Sequence, residues 1–394
     1  MGNKRVIHEV ALFVCQYFGF VYCIQYLPSL EPIFSASKKK EREMHYMDNK
    51  IISLFSGCGG MDLGFERAGF EIPVANEFDA TIWETYKRNH KNTHLIEGDI
   101  RNVTKSDLEP YLKLQPGEQL AGIIGGPPCQ SWSVAGAGKG IEDKRGQLFF
   151  EYIRVLREFR PQFFVAENVP GMISKKHADA VDRILSLFAE SGYNVSVYKT
   201  NACNYGLAQT RERIFYIGIR TDFDISFVFP GGDPEHIVTL KDAIWDLRDN
   251  AVPTLARNKR NPAAVNNHEY YVDSYSPVFM SRNRVRSWDE PGFTVQASGR
   301  QCQIHPNAPK MQQISKDSYC FVPGAKDRYR RMSVREVARL QGFPDDFEFM
   351  YENANNGYKM IGNAVPVNMA EAIARNLMDA LKISIDISNS TREG

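Results

Sequence analysis

The chain has 394 residues, of which 43% are hydrophobic and 24% charged, a composition typical of a globular protein with one large core and a second domain. Lys and Arg total 48 against 47 Asp and Glu, so the net charge of +1 provides no general attraction to nucleic acid. The seven cysteines form no CxxC pair, which argues against a disulfide framework and a zinc site. We therefore expect a metal-free cytoplasmic protein.

Residues 1–47 are predicted to be an N-terminal extension of unknown role. The stretch 10–27 is apolar and aromatic, so it loosely resembles a signal peptide or a short membrane segment. Two glutamines interrupt it, and no small-residue cleavage site follows. We expect the functional domain to begin near Met47 and the protein to have no association with a membrane.

Short apolar runs alternate with helical patterns from Lys50 onward. The predicted strands are 51–55, 72–75, 120–124, 163–166 and 214–219, and the predicted helices are 61–68, 80–89, 147–159 and 178–191. This alternation predicts an α/β fold with a mostly parallel sheet. Ligands of such sheets bind at the carboxyl ends of the strands, so the residues that follow each strand are the candidates for chemistry.

The regular alternation ends near residue 220, where Pro, Gly, Asn and Arg become frequent. Helical patterns return only near 240–247 and 333–341, which predicts a smaller, irregular second domain. An amphipathic pattern at 367–381 predicts a helix that packs back on the sheet. The expected boundaries are 48–220 for the first domain, 221–345 for the second domain, 346–385 for the segment that returns to the first domain and 386–394 for the tail.

The first predicted strand runs into Phe55-Ser56-Gly57-Cys58-Gly59-Gly60, and a helix follows. Glycines let the backbone turn sharply and approach a ligand, although a plain strand-to-helix turn has the same pattern. Glu77 ends the second strand, where a carboxylate can accept from both ribose hydroxyls, and Asp99 is suitably placed to accept from an adenine amino group. The loop lacks the P-loop Lys-Ser/Thr and the full GxGxxG pattern, so an adenosyl ligand is favoured.

The sequence GGPPCQSWS leaves the third buried strand at residues 125–133 and enters a glycine-rich stretch. Free cysteines are most often buried core residues. Cys129 differs because two prolines precede it and the segment 131–146 can form a loop that closes over a substrate. We therefore take Cys129 as a candidate nucleophile.

Charged residues follow at the same predicted edge of the sheet. Glu167 directly follows the strand at 163–166, and its alternative role is to cap the next helix. Arg211 and Arg213 precede a strand with i, i+2 spacing, so they project to one side. Surface ion pairing is the alternative for both arginines.

The motifs FSGCGG, NEFD, GDI, GGPPCQSWS, ENV, QTRERIFYIG, RRMSVREVARLQGFP and GYKMIGNAVPVN resemble, in this order, those of the DNA cytosine-5 methyltransferase family. The resemblance covers about residues 49–381 and is strongest to bacterial GGCC-recognising, HaeIII-type modification enzymes. It implies a Rossmann-like domain that uses S-adenosylmethionine, a target-recognition domain and no metal. It also implies a monomer that acts on double-stranded DNA in the bacterial cytoplasm, within a restriction-modification system that can include an endonuclease of the same specificity.

The resemblance also assigns roles to individual residues. It implies that Cys129 attacks C6 of a flipped-out cytosine, that Glu167 binds the N3 and N4 edge, and that Arg213, supported by Arg211, holds the O2 side. The residues that match the family's contacts to S-adenosylmethionine, together with the glycine loop, are Phe55, Gly57, Gly59, Glu77, Phe78, Asp99, Ile100, Pro128, Leu148, Asn363 and Val365.

Two arginine-containing segments, 280–288 and 298–301, are candidates for reading the DNA sequence. The resemblance favours Arg282, Arg284 and Arg300 as guanine readers and the inner cytosine of GGCC as the target. Binding to phosphates or exposure to solvent is the commoner fate of such arginines.

Three other functions have to be weighed. A tRNA cytosine-5 methyltransferase would share the catalytic motifs and differ only in the variable domain. A zinc cytosine deaminase requires a PCxxC motif, and Trp132 occupies the position of the second cysteine. A non-catalytic DNA-binding regulator could retain the fold, but the presence of Cys129, Glu167 and Arg213 argues against it.

Overall fold

A computed structural model describes residues 49–128, 147–173, 178–223 and 225–392. In the first half of the molecule, the described strands form one seven-stranded sheet. Its strands are β1 (Lys50–Leu54), β2 (Glu71–Glu77), β3 (His94–Glu97), β4 (Gly122–Gly125), β5 (Phe163–Asn168), β6 (Tyr193–Asn201) and β7 (Glu212–Arg220). The strand order is β3-β2-β1-β4-β5-β7-β6. Strands β1 to β5 are parallel, whereas β7 is antiparallel to both of its neighbours. The predicted α/β fold with a mostly parallel sheet is confirmed.

Helices cover both faces of the sheet, which is why its central strands consist mainly of buried apolar residues. The described helices are α1 (Gly60–Arg67), α2 (Trp83–Asn89), α3 (Lys105–Leu112), α4 (Gln147–Phe159), α5 (Ala178–Glu190), α6 (Leu240–Ile244), α7 (Val334–Leu340), α8 (Ala354–Asn363) and α9 (Val367–Arg392). On one face, Tyr152 of α4 and Phe188 of α5 pack on Phe164 of β5. On the opposite face, α1 and α9 pack together and cover Phe163 and Val165.

Short elements and turns make up the region between β7 and α8. Its strands are β8 (Val252–Pro253), β9 (Glu269–Tyr270), β10 (Gln312–Ser315) and β11 (Ser318–Cys320). A small separate core contains Phe279, Val285, Ile304, Met311 and Tyr329. With so few ladder hydrogen bonds, side chains have to hold much of the backbone in place.

The element boundaries largely follow the sequence patterns. The observed bounds of α4 match the prediction, but α2 starts at Trp83 rather than at residue 80. The carboxylate of Asp79 accepts from the amide and hydroxyl of Thr81 (3.1 and 2.8 Å), a local turn that competes with helix. Strands β3, β6 and β8 to β11 and helices α3 and α8 were not predicted. In the described part of the chain, no helix combines the length and apolarity needed to cross a bilayer.

Candidate active site

The ends of four parallel strands lie in one row across the sheet. In the strand register, Leu54 of β1 pairs with Asn76 of β2 and Gly125 of β4, and Gly125 pairs with Ala166 of β5. The residues that follow these positions therefore project from the same edge. The strand order also reverses between β1 and β4, and a crevice forms at such a switch point.

Glu77 connects the end of β2 to the glycine loop after β1. Its Oε2 accepts from the amide of Gly57 at 2.8 Å, and its Oε1 accepts from the amide of Asp79 at 2.7 Å. Burial raises the pKa of this carboxyl, and the two amides oppose that increase. The carboxylate thus lies in a fixed orientation at the mouth of the crevice.

Two glycines of the loop have left-handed backbone angles but different surroundings. Gly59 has φ +86°, and a Cβ there would collide with Nε2 of His90. Gly57 has φ +57°, and a Cβ would meet no atom of the described residues within 4 Å. Gly59 is therefore required for packing, whereas Gly57 borders open space where a ligand can approach the backbone.

Asp99 carries a local partner of its own. Its carboxylate accepts from the amide of Arg101 at 3.0 Å and from its Nε at 2.9 Å, and the Arg101 guanidinium lowers the pKa of the Asp99 carboxyl. Ile100, the next residue, is buried. A contact from Asp99 to an adenine amino group would have to be made beside this ion pair.

The remaining predicted cofactor residues differ in exposure. Phe78 is 69% exposed, unusual for a phenylalanine and suited to stacking on a ligand ring. Asn363 is also exposed, Val365 is buried, and Pro128 and Leu148 are half-buried.

Glu167 and Arg213 form the ion pair at the centre of this edge. Nε of Arg213 lies 2.7 Å from Oε1 of Glu167, and each side chain is only 12% exposed. Burial raises the pKa of Glu167, opposed by the charges of Arg213 and Arg211. A Cβ on Gly126 would lie 3.3 Å from Oε2 of Glu167, so the chain leading to Pro128 passes directly beside the carboxylate.

Arg211 occupies a different environment from Arg213, although the sequence grouped them. It is 1% exposed and donates from Nη1 to the carbonyl of Val295 (3.0 Å) and from Nη2 to those of Gly362 and Ala364 (2.7 and 3.0 Å). Its hydrogen bonds therefore connect the start of β7 to two distant segments, one at Val295 and one at residues 362–364. Arg213 alone of the two makes a hydrogen bond to Glu167.

Cys129 and the predicted closing segment 131–146 lie outside the described residues. The approach to Cys129 is described: Nδ2 of Asn168 donates to the carbonyl of Pro127 at 3.3 Å. The strand end that carries Glu167 is thus hydrogen-bonded to the chain just before the cysteine.

The three arginines predicted to read DNA also differ. Arg282 and Arg300 are exposed, whereas Arg284 is 6% exposed. Nε of Arg284 donates to the carbonyl of Phe279 (2.8 Å), and its Nη2 donates to that of Val278 (2.9 Å). Burial, together with the charge of Arg282, lowers the pKa of Arg284 to about 10. Its guanidinium is thus oriented by the scaffold.

Sequence reasoning missed a pair of buried glutamines beside Arg211. Gln209 donates to the carbonyl of Leu340 and to Oε1 of Gln341, both at 2.6 Å. Gln341 in turn donates to the carbonyl of Ile361 at 2.7 Å. Gln209 begins the QTRER motif, but the two acceptors of its side-chain amide lie more than 130 positions away, so no local pattern could identify them.

The model of the C-5 cytosine-specific DNA methylase family matches residues 49–379. The chain belongs to this family. A type II methyltransferase of Neisseria gonorrhoeae, M.NgoPII, is 59% identical over 340 residues, covering 86% of this chain and 97% of the relative. M.FnuDI of Fusobacterium nucleatum is 54% identical over 349 residues, covering 87% and 98%.

A crystal structure of a prophage-encoded E. coli protein, described as a DNA modification methyltransferase, superposes with a TM-score of 0.64 at 26% identity. The superposition covers 84% of this chain and 99% of that one. The prediction of a DNA cytosine-5 methyltransferase is confirmed at the level of family and enzyme class. Among the described residues, no cluster of His, Cys, Asp and Glu is arranged to hold a metal.

Proposed function

We propose that this methylase transfers a methyl group from S-adenosylmethionine to C5 of a flipped-out cytosine through a covalent bond between Cys129 and C6. The observation that carries the proposal is the buried Glu167–Arg213 ion pair (2.7 Å) beside the chain that leads to Cys129. It lies at the sheet edge that also holds Glu77 and the glycine loop. Nucleophile, acid and methyl donor are thus expected at one edge.

The residues at the glycine loop fit S-adenosylmethionine. Open space above Gly57 admits a ligand, the fixed Glu77 carboxylate can accept from ribose hydroxyls, and the exposed Phe78 ring can stack on adenine. When bound, the compound supplies a methyl group on a sulfonium. Phe55, Gly59, Asp99, Ile100, Pro128, Leu148, Asn363 and Val365 are the other residues we expect to line its site.

Glu167 and Arg213 are expected to bind different atoms of the cytosine. In our proposal, the Cys129 thiolate adds to C6 while Glu167 donates its proton to N3, which leaves electron density at C5 for methylation. A raised pKa increases the protonated fraction of Glu167 near neutral pH. Arg213 holds O2, and Arg211 supports it through the backbone. Removal of the C5 proton by a base then expels the thiolate, and N3 returns its proton to Glu167.

Mass spectrometry with duplex DNA containing 5-fluorocytosine tests the covalent step. Fluorine at C5 cannot be removed as a proton, so the adduct should persist in the wild type and be absent in Cys129→Ala. Cys203→Ala is the matched control, because Cys203 is half-buried and makes no part of the proposed site. Equal adduct yield in wild type and Cys129→Ala contradicts the mechanism.

We further propose that the target is the inner cytosine of GGCC, within a type II restriction-modification system, with an endonuclease of the same specificity as the functional partner. The exposed Arg282 and Arg300 and the oriented Arg284 supply the guanidinium groups that guanine O6 and N7 accept from. Bisulfite sequencing after expression reports the methylated base and its context. Plasmid that a GGCC endonuclease still cleaves contradicts this target, and methylation of tRNA but not duplex DNA contradicts the substrate.

A further inference from the structure

Two loops carry the proposed guanine readers, and we call them the reading loops. The first spans residues 273–284 and includes Arg282 and Arg284, and the second spans residues 298–301 and includes Arg300. Both consist mainly of turns and single 3₁₀ turns rather than strands. Guanine recognition by an arginine fork requires placement to within about 0.5 Å, so something else must set their relative position.

Arg331 is a buried guanidinium between these loops. Its side chain is 1% exposed. Nη1 donates to the carbonyl of Asp273 (3.1 Å), and Nη2 donates to the carbonyls of Ser274 (3.2 Å) and Arg300 (3.4 Å). One planar group thus holds the start of the first reading loop and the base-reading position of the second.

Aromatic rings surround the same guanidinium. Its central carbon lies 4.2 Å from the ring centre of Tyr275 and 5.3 Å from those of Tyr271 and Phe279. Burying an arginine is costly unless its donors are used and its charge is compensated. In the described part of the chain, its hydrogen-bond partners are carbonyls, so the ring faces provide the remaining compensation.

Phe279 extends the connection to Arg284. Its ring packs against Arg331 on one side and lies 4.8 Å from the Arg284 guanidinium. Its carbonyl accepts from Nε of Arg284 at 2.8 Å. Arg331 therefore contacts Arg300 directly and is connected to Arg284 through one residue, Phe279.

We propose that Arg331 is a positioning residue for sequence specificity: it sets the distance between the two reading loops and so the spacing of the arginines that read guanines. It touches neither DNA nor cofactor in this proposal, which rests on the proposed function. Loss of the fork loosens the reading loops relative to each other while the catalytic edge keeps its geometry.

The test compares Arg331→Lys with Arg335→Lys. Arg335 is an equally buried arginine four positions away, and it donates to the carbonyls of Asn266, Pro344 and Phe347, outside the reading loops. The measured quantity is kcat/KM on a duplex with the preferred site of the wild type, divided by kcat/KM on duplexes with one guanine replaced. We expect Arg331→Lys to lower this ratio by about tenfold or more, with KM for S-adenosylmethionine unchanged. Arg335→Lys should lower thermal stability and leave the ratio as in wild type.

Two results overturn the inference: an unchanged ratio in Arg331→Lys, or equal losses in both variants, since the effect would then belong to any buried arginine of the region. If Arg331→Lys does not fold, Tyr275→Leu, which removes the nearest ring, is judged by the same criteria. A wild type that methylates no duplex DNA overturns the proposed function and this inference together. A selective wild type with an unchanged variant ratio overturns the inference alone.

Discussion

In the sheet, backbone groups pair between strands, whereas in the region between β7 and α8 many carbonyls accept from arginine side chains. Glu77 and Glu167 take their positions from the strand ends to which they belong. Arg284 and Arg300 are positioned by tethers, which we define as buried arginines that donate to backbone carbonyls of distant segments. Arg331 is one of them, and its acceptors lie 31 to 58 residues away in sequence. Substitutions near the sheet should therefore affect chemistry, and substitutions of tethers should affect specificity and stability.

The largest effect is expected from Glu167→Gln, at the sheet edge. Glutamine can still accept from Nε of Arg213, so the fold should persist, but the group can no longer give a proton to cytosine N3. We expect single-turnover methyl transfer to fall by about 10²- to 10⁴-fold. A rate near that of wild type would contradict the role of this carboxyl.

The pH profile provides the control for that variant. Burial raises the pKa of Glu167, so its protonated form prevails at lower pH and is lost as the pH rises through that pKa. The wild-type rate of the chemical step should therefore fall as the pH rises through the pKa of Glu167. The residual rate of Glu167→Gln should not show this fall.

The next largest effect is expected for Arg211→Met, at the junction of the two regions. The substitution leaves the buried carbonyls of Val295, Gly362 and Ala364 without this donor, at a cost of about 3 kcal/mol in the free energy of unfolding. Urea denaturation measures it. A loss as small as that from an exposed arginine such as Arg257 would show that these contacts do not hold the regions together.

Within the glycine loop, Gly59→Ala and Gly57→Ala form a matched pair. Both incur left-handed strain of about 1 kcal/mol, but only Gly59→Ala also drives a Cβ into His90. We expect Gly59→Ala to be the more destabilising by about 1 kcal/mol or more. Gly57→Ala should chiefly weaken S-adenosylmethionine binding, measured by calorimetry. Equal stabilities would contradict the packing role of Gly59.

The smallest effect is expected for the Arg88–Glu348 ion pair, although it connects α2 to the segment before α8. Both side chains are about half exposed, so Arg88→Ala should cost less than about 1 kcal/mol. Neighbouring Asn89 donates to the carbonyl of Glu348 (2.8 Å) and accepts from its amide (2.9 Å). Asn89→Ala should therefore cost more in the free energy of unfolding. The reverse order would show that surface charge holds this junction.

Much of the sheet could be predicted because its signals are local. The bounds of α4 follow from its strong amphipathic periodicity, and the strand ends near Gly57, Glu77 and Glu167 follow from apolar runs. Helix α3 escaped prediction because Pro110 lies inside it, and the edge strand β6 lacks a continuous buried run.

The family, the α/β sheet and the edge at which the chemistry is expected could be read from the sequence alone, because motif order and strand ends are properties of neighbouring residues. The three-dimensional structure was needed to show that Arg213 rather than Arg211 contacts Glu167, and that the carbonyls of Val278 and Phe279 orient Arg284. It alone identified Arg331 as the link between the reading loops. A buried arginine donates to whichever carbonyls the fold brings within about 3 Å. Because those carbonyls belong to segments far apart in the chain, no local sequence pattern reveals them.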